Sequence, residues 1–283
     1  MSNIIDGKQL AIEIKDKLKE EVIKIKEKGI TPKLAVIMVG EDQASKVYVK
    51  NKSKACEYVG IEFEEHILKE ETSMEELISL IESLNKDTTI HGILLQSPIP
   101  KGLDINLAFK TISPEKDVDG FHPINVGKLT LGQDSFIPCT PYGIVKMLEK
   151  YNIQTEGKNV VIIGRSNIVG KPLIQCMLNK NATVTVCHSK TKNLKEITKN
   201  ADILISAIGK AKFVTEDMVK QAAVVIDVGI NRTEEGNLVG DVDFERIHTK
   251  TSYITPVPGG VGPMTIAMLM NNVVKATKQI ENI

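Results

Sequence analysis

Apolar positions recur on two different periods along this chain. Ile12, Leu18, Val22 and Ile25 fall near helical spacing within a charged stretch, which predicts a surface helix from about Gly7 to Lys28, closed by Gly29. After Pro32 the run KLAVIMVG is apolar at nearly every position, as expected of a strand buried on both faces. A helix from about Gln43 to Tyr58, the strand IEFEEHIL, a helix from Ser73 to Asn85 and the strand IHGILLQ follow. Strands alternating with helices in this way imply crossover connections and a parallel sheet. SPIPKG interrupts the rhythm, and PEKDVDGFHPIN and PCTPYG are read as turn-rich connections.

A second cycle then begins. Strand KNVVIIG, a helix from about Ile168 to Leu178, strand ATVTVC, a helix near Asn193, and strands ADILISAIG and AAVVIDVGI form another α/β unit. The turn-rich run TPVPGGVGPMT precedes a last helix reaching Ile283. The expected fold is α/β, with two α/β lobes and a cleft between them, the second lobe a doubly wound Rossmann-type domain. Ligand sites in open parallel sheets lie beyond the carboxyl ends of the strands. The expected domains are residues 1–139 and 140–263, with the C-terminal helix, about 264–283, packing back on the first.

Composition narrows the classes of function. The 283 residues carry 36 Lys and Arg against 36 Asp and Glu, so the net charge is zero and nothing favours coating a nucleic acid or an anionic membrane. There is no Trp, with five Tyr and six Phe, too few for a stacking platform along single strands. The charged N-terminus lacks the apolar core of a secretory signal, and no run approaches the ~20 apolar residues of a membrane span, so a cytoplasmic location is expected. Cys56, Cys139, Cys176 and Cys187 are widely spaced and are expected to be reduced thiols in the core. His66, His91, His122, His188 and His248 form no paired ligand motif, so no metal site is expected.

Two sets of residues carry candidate chemistry. In NVVIIGRSNIVGKP, Gly164 stands at a tight turn after a strand and Gly170 where the next helix must pack closely. Free backbone N–H groups at that helix start suit a pyrophosphate. The spacing is G-x-S-x-x-x-G, less specific than the usual dinucleotide fingerprint, and a glycine turn without a cofactor has the same appearance. The second strand ends TVTVCHSKT with no carboxylate for ribose hydroxyls, while Arg165 adjoins the first glycine and Ser189 lies at the strand tip. A guanidinium and a hydroxyl suit a 2′-phosphate, which favours NADP.

In EDQASKVYVKNKSKA, Tyr48 and Lys52 are four apart and share a helix face. Spacing alone does not separate them from two solvated side chains. Gln96 closes the apolar strand IHGILLQ, at the end where α/β sites lie. Asp117 and Asp119 occur in the turn KDVDG, where Asp117 reads as a turn cap.

Taken in order, ASKVYVKNK, ILLQSPIP, KDVDGFHPINVG, PCTPYG, GRSNIVGKP, CHSKT, DVGIN, GDVD and TPVPGGVGPMT resemble the bifunctional methylenetetrahydrofolate dehydrogenase/methenyltetrahydrofolate cyclohydrolase family. The resemblance runs from about Asp6 into the final helix. Ser97 departs from it, standing where the family often has Leu. The resemblance implies NADP-dependent oxidation of methylenetetrahydrofolate to the methenyl cation, then hydrolysis to formyltetrahydrofolate, by a homodimer. It implies Lys52 as the catalytic lysine oriented by Tyr48 and Gln96. Asp119 would hold the pterin, and Pro258, Gly259, Gly260 and Val261 would line the folate pocket. Gly164, Arg165, Ser166, Ser189 and Ile230 fall where the family contacts NADP.

The hydride leaves a carbon between two nitrogens whose lone pairs stabilise the cation, so the first step asks for orientation more than for acid or base. In the second, water adds and protons move, which calls for a group of adjustable basicity. A shikimate-dehydrogenase-like enzyme, with its own Lys–Asp pair, and a non-enzymatic nucleotide sensor are the alternatives. KDVDG and the PGGVGPMT run argue against the first, and folate binding separates the second.

Overall fold

The computed structural model describes residues 3–283, which fall into two compact units. One comprises Ile12–Cys139 with Ile266–Ile283, and the other the residues up to Ala11 with Thr140–Thr265.

The Ile12–Cys139 unit holds a three-stranded parallel sheet in the order Glu62–Leu68, Lys33–Val39, Gly92–Leu95. Lys33–Val39 is central and buried at every position after Lys33, which explains its unbroken apolar run. The outer strand keeps its open edge charged with Glu62, Glu64 and Glu65, and Glu64 pairs with Lys33 at 2.6 Å. Helix Met74–Lys86 places Leu77, Ile81 and Leu84 on one stripe against Ile37, Ile93 and Leu95. Each buried aliphatic side chain there contributes about 2 kcal/mol. Ser73 and Glu76 form a capping box at the helix start. Helix Gln43–Val59 starts where Asp42 accepts the Ser45 N–H and ends at Gly60, whose φ of +92° lies in the left-handed region.

The other unit is built on a six-stranded parallel sheet ordered Asn3–Ile4, Tyr253–Ile254, Val224–Asp227, Ile203–Ser206, Asn159–Ile163, Thr183–Cys187. Its core joins Val161, Ile163, Leu204 and Val225 to Val214, Val242 and Ile247. The first strand pairs with Tyr253–Ile254, so the residues before Ile12 group with this sheet, whereas the sequence reading carries 1–139 as one piece. A two-residue strand is too short to show a period, and its partner lies some 250 residues away.

Turn-rich composition misleads at three places. PCTPYG opens the helix Cys139–Lys150, where Pro141 sits in the first turn and breaks no helical bond. Gly143 follows because Met264 approaches so closely that an added Cβ would lie 2.8 Å from the Met264 Cβ. FHPIN enters the helix Pro123–Thr130, with Pro123 as its first residue and His122 Nδ1 accepting the Ile124 N–H. The last helix, Val261–Glu281, begins inside TPVPGGVGPMT rather than after it. Among the described residues no helix is long and apolar enough to cross a membrane.

Candidate active site

Helix Gln43–Val59 buries Ser45, Val49, Cys56 and Val59. Lys52 lies three residues after Val49 and four before Cys56, so helical geometry sets a lysine on the apolar stripe. Its Nζ donates to Gln96 Oε1 at 2.8 Å, and Gln96 Nε2 donates to the Ser97 carbonyl at 2.6 Å, which fixes the amide. Gln96 is buried, one residue past the end of strand Gly92–Leu95. Lys52 and Asp119 keep part of their side-chain surface open while their charged ends are surrounded by protein. Burial lowers the Lys52 pKa, and the Asp119 carboxylate opposes that shift. Burial raises Asp119, with Lys52 pulling the other way, so both groups are pushed toward their neutral forms. Tyr48, one turn before Lys52, is 40% exposed, and its hydroxyl has no partner among the described residues.

The KDVDG turn separates into parts. Lys116 Nζ donates to the carbonyls of Leu84, Asn85 and Asp87 at 3.1, 2.9 and 2.7 Å, closing the end of helix Met74–Lys86. Asp117 accepts from the N–H groups of Phe121 and His122 and from Asn125 Nδ2, the turn-cap role expected of it. Val118 packs where a Cβ on Gly92 would come within 2.7 Å of it. Asp119 Oδ1 receives the Cys139 S–H at 3.5 Å. Burial keeps the Cys139 thiol well above its ordinary pKa, and so protonated. All four cysteines are free and buried.

In the other unit, strand Asn159–Ile163 ends at Gly164, whose φ is +125°. A Cβ there would lie 2.4 Å from the Ala207 carbonyl oxygen, and one on Gly170 would lie 2.5 Å from the Gly164 oxygen. Bare backbone is obligatory at both positions. Ser166 Oγ accepts the N–H groups of Val169 and Gly170 at 3.2 and 3.3 Å, which shapes the turn before helix Gly170–Leu178. Arg165 and Ser189 are exposed, and Arg165 forms no ion pair among the described residues. Ile230 is 47% exposed. A side-chain-free turn at a helix start, an exposed guanidinium and no carboxylate at the tip of Thr183–Cys187 fit a phosphorylated dinucleotide.

Gly259 has φ +107°, and its carbonyl accepts the Lys8 N–H at 2.8 Å. A Cβ on Gly260 would meet the Pro256 oxygen at 2.5 Å. Pro258 is exposed, whereas the Val261 side chain is buried. Among the described residues no cluster of three or more His, Cys, Asp or Glu could hold a metal ion.

Sequence reasoning passed over two buried carboxylates. Asp241 is fully buried and accepts from Ser206 Oγ, from the N–H groups of Ile208, Gly209 and Lys210, and from Asn231 Nδ2. It thereby holds the loop whose Ala207 packs on Gly164. Asp227 accepts the N–H groups of Gly229, Asp241 and Val242. The motifs DVGIN and GDVD contain them, and the signal was a carboxylate within two residues of a glycine in each.

Burial pushes Asp227 up to about 6, with its backbone donors pulling the other way. Below the ordinary carboxylate value both folded and unfolded chains hold this proton. Between there and about 6 only the folded chain does. Stability from this group is therefore present in acid and is lost as pH rises through about 6. The loss is about 3 kcal/mol at most. Chemical denaturation of wild type and Asp227→Asn across pH 4 to 7 is expected to show the wild type losing stability relative to the variant. Parallel curves would remove Asp227 as the source.

A family model described as the tetrahydrofolate dehydrogenase/cyclohydrolase catalytic domain matches residues 5–119, and its NAD(P)-binding domain counterpart matches 138–281. The chain belongs to the tetrahydrofolate dehydrogenase/cyclohydrolase family. A curated family member, the Bifunctional protein FolD of Agathobacter rectalis, is 58% identical over 279 residues, covering 99% of this chain and 100% of that one. The bifunctional FolD methylenetetrahydrofolate dehydrogenase/cyclohydrolase of Campylobacter jejuni has a crystal structure that superposes with a TM-score of 0.98 at 53% identity, covering 99% of each chain. The family enzyme of Trypanosoma brucei, solved with NADP cofactor and an inhibitor, has a TM-score of 0.94 at 36% identity over 98% of each chain.

Proposed function

We propose that this chain oxidises 5,10-methylenetetrahydrofolate to 5,10-methenyltetrahydrofolate with NADP and hydrolyses the product to 10-formyltetrahydrofolate, within one-carbon metabolism. The observation that carries the reading is a lysine on an apolar helix face, bonded to a glutamine at a strand end and under the influence of a half-buried aspartate, in a chain of this family. NADP, when bound, accepts the hydride from the methylene carbon.

We assign the folate chemistry to Lys52, Gln96, Tyr48 and Asp119. Gln96 Oε1 holds Lys52 Nζ by a bond to one of its hydrogens and leaves the rest of the nitrogen free to act. Burial raises the share of neutral lysine, which can take the proton released as water adds to the methenyl carbon. Asp119 offers two acceptor oxygens to the amino and ring N–H groups of a pterin. Tyr48, one turn before Lys52 and 40% exposed, supplies a hydroxyl that has no partner among the described residues. Pro258, Gly259, Gly260 and Val261 are assigned as further folate contacts, Val261 through its backbone. Gly164, Arg165, Ser166, Ser189 and Ile230 are assigned to NADP. Residues 1–139 are assigned to catalysis and 140–263 to the cofactor, with the grouping of the first eleven residues noted above.

Turnover of methylenetetrahydrofolate followed by absorbance, with NADP and then NAD, and decay of methenyltetrahydrofolate without cofactor test the reading. NADPH formation and methenyl decay are both expected, and absence of the first overturns it. Arg165→Ala is expected to raise KM for NADP about tenfold and to leave KM for NAD nearly unchanged, because a charge-assisted phosphate contact is lost. An unchanged preference in that comparison removes Arg165 from the 2′-phosphate. A cytoplasmic homodimer is the assembly we assign, with light scattering at twice the 31.1 kDa chain mass as its check.

A further inference from the structure

Asp119 is held from behind by a residue outside every motif singled out in the sequence. Asn272 lies on helix Val261–Glu281 and is 1% exposed. Its Nδ2 donates to the Val118 carbonyl at 2.8 Å and to the Ile137 carbonyl at 3.0 Å, and it lies 3.8 Å from Cys139 Sγ. The Val118 carbonyl belongs to the peptide group that leads into Asp119, so fixing it fixes the plane from which the Asp119 side chain departs. The Ile137 carbonyl lies two residues before Cys139, whose S–H reaches Asp119 Oδ1 at 3.5 Å. The two segments are packed without slack, since a Cβ on Gly120 would lie 2.5 Å from the Phe136 carbonyl oxygen.

We propose that Asn272 is a positioning residue for folate, clamping the 118–120 turn to the 136–139 segment so that Asp119 presents its carboxylate to the pterin at a set angle. The proposal rests on the assignment of Asp119 to folate binding. It extends that assignment to a buried amide that touches neither substrate nor cofactor. An amide suits the task because a single nitrogen supplies two hydrogens to two carbonyls on different segments, the Val118 carbonyl having only the weak Cys139 S–H at 3.6 Å beside it. Cys139, whose thiol lies 3.6 Å from the Val118 carbonyl and 3.5 Å from Asp119 Oδ1, completes the clamp, and the weak S–H contact leaves both carboxylate oxygens with lone pairs for the ligand.

The test is a kinetic comparison of Asn272→Ala, Cys139→Ala, Asp119→Ala and the double variant Asn272→Ala/Asp119→Ala, with calorimetric titration of a folate analogue. Asn272→Ala is expected to raise KM for methylenetetrahydrofolate about tenfold with KM for NADP unchanged. In the Asp119→Ala background the same change is expected to add little further loss of folate affinity, because the group being positioned is gone. If Asn272→Ala does not fold, Asn272→Ser, which keeps a donor, and Cys139→Ala carry the same comparison. Equal shifts in both KM values, or full additivity with Asp119→Ala, overturn the positioning role and leave Asp119 as a folate ligand. Unaltered analogue binding in Asp119→Ala overturns the assignment of Asp119 itself, and with it the proposal.

Discussion

Lys52→Met is expected to slow methenyltetrahydrofolate hydrolysis by at least about 100-fold, the lower scale of a lost proton-transfer group, while part of the dehydrogenase activity survives. Hydride departure needs alignment of the reacting carbon, which this change leaves largely to other residues. Water addition needs a base, and methionine is none. The substitution also separates chemistry from folding. Lys52 sits on a stripe with Val49 and Cys56, and burial already disfavours its charge. A flexible thioether of similar length fits that stripe without the cost of burying a cation. The variant is therefore expected to melt at or above the wild-type temperature. The sign follows from the pKa direction, because a lysine lowered on folding contributes stability only where the unfolded chain is also neutral. Hydrolysis by the wild type is expected to rise with pH and level off below the ordinary lysine value, and that limb should vanish in Lys52→Met. Measuring both activities, analogue binding and thermal melting on one preparation decides the matter. Equal loss of both activities with binding intact would falsify the division of labour.

Gly240→Ala is expected to destabilise the protein by about 3 to 5 kcal/mol, the range in which a single substitution points to a specific steric or buried-polar fault. A Cβ on Gly240 would lie 1.8 Å from Asp227 Oδ2 and 2.4 Å from its Cγ. The carboxylate would have to turn away from the N–H groups of Gly229, Asp241 and Val242, leaving three buried donors to find other acceptors. The disturbance passes to Asp241, whose own N–H is one of the three and whose side chain holds the 208–210 loop. NADP affinity is expected to fall together with stability. Gly127→Ala is the matched control. Gly127 lies in helix Pro123–Thr130 with open space where its Cβ would be, so alanine there is expected to stabilise by about 0.5 to 1 kcal/mol. Denaturant titration of the pair reads both signs, and a Gly240→Ala loss below about 1 kcal/mol would mean that the carboxylate cradle yields freely.

Much of the architecture was legible because buried parallel strands write themselves as apolar runs. Lys33–Val39, Asn159–Ile163, Ile203–Ser206 and Val224–Asp227 all lie within runs read as strands. The helices carrying Tyr48 and Lys52, and Leu77 to Leu84, fall where the alternation with strands placed them, while the capping box of Ser73 and Glu76 emerged from the structure. Composition failed where prolines and glycines signalled turns. Pro123, Pro141 and Pro263 each sit in the first turn of a helix, where a missing N–H costs nothing. Short elements such as Asn3–Ile4 and the hairpin Asn231–Arg232 with Leu238–Val239 carry no readable period.

By itself the sequence determined two parallel α/β units and the glycine turn at Gly164, and it offered candidate residues for pterin, phosphate and proton chemistry. These rest on local properties: burial pattern, backbone freedom and side-chain functional groups. Only the tertiary structure decided that Lys52 meets Gln96 and not Tyr48, that Lys116 closes the end of helix Met74–Lys86, and that Asp119 receives the Cys139 thiol rather than the backbone donors held by Asp117. It also decided that Asp227, Asp241 and Asn272 hold the surrounding backbone. The reason is physical. A hydrogen bond between residues 44 or 154 positions apart depends on where packing delivers two groups to within 3 Å, and no local pattern encodes that distance.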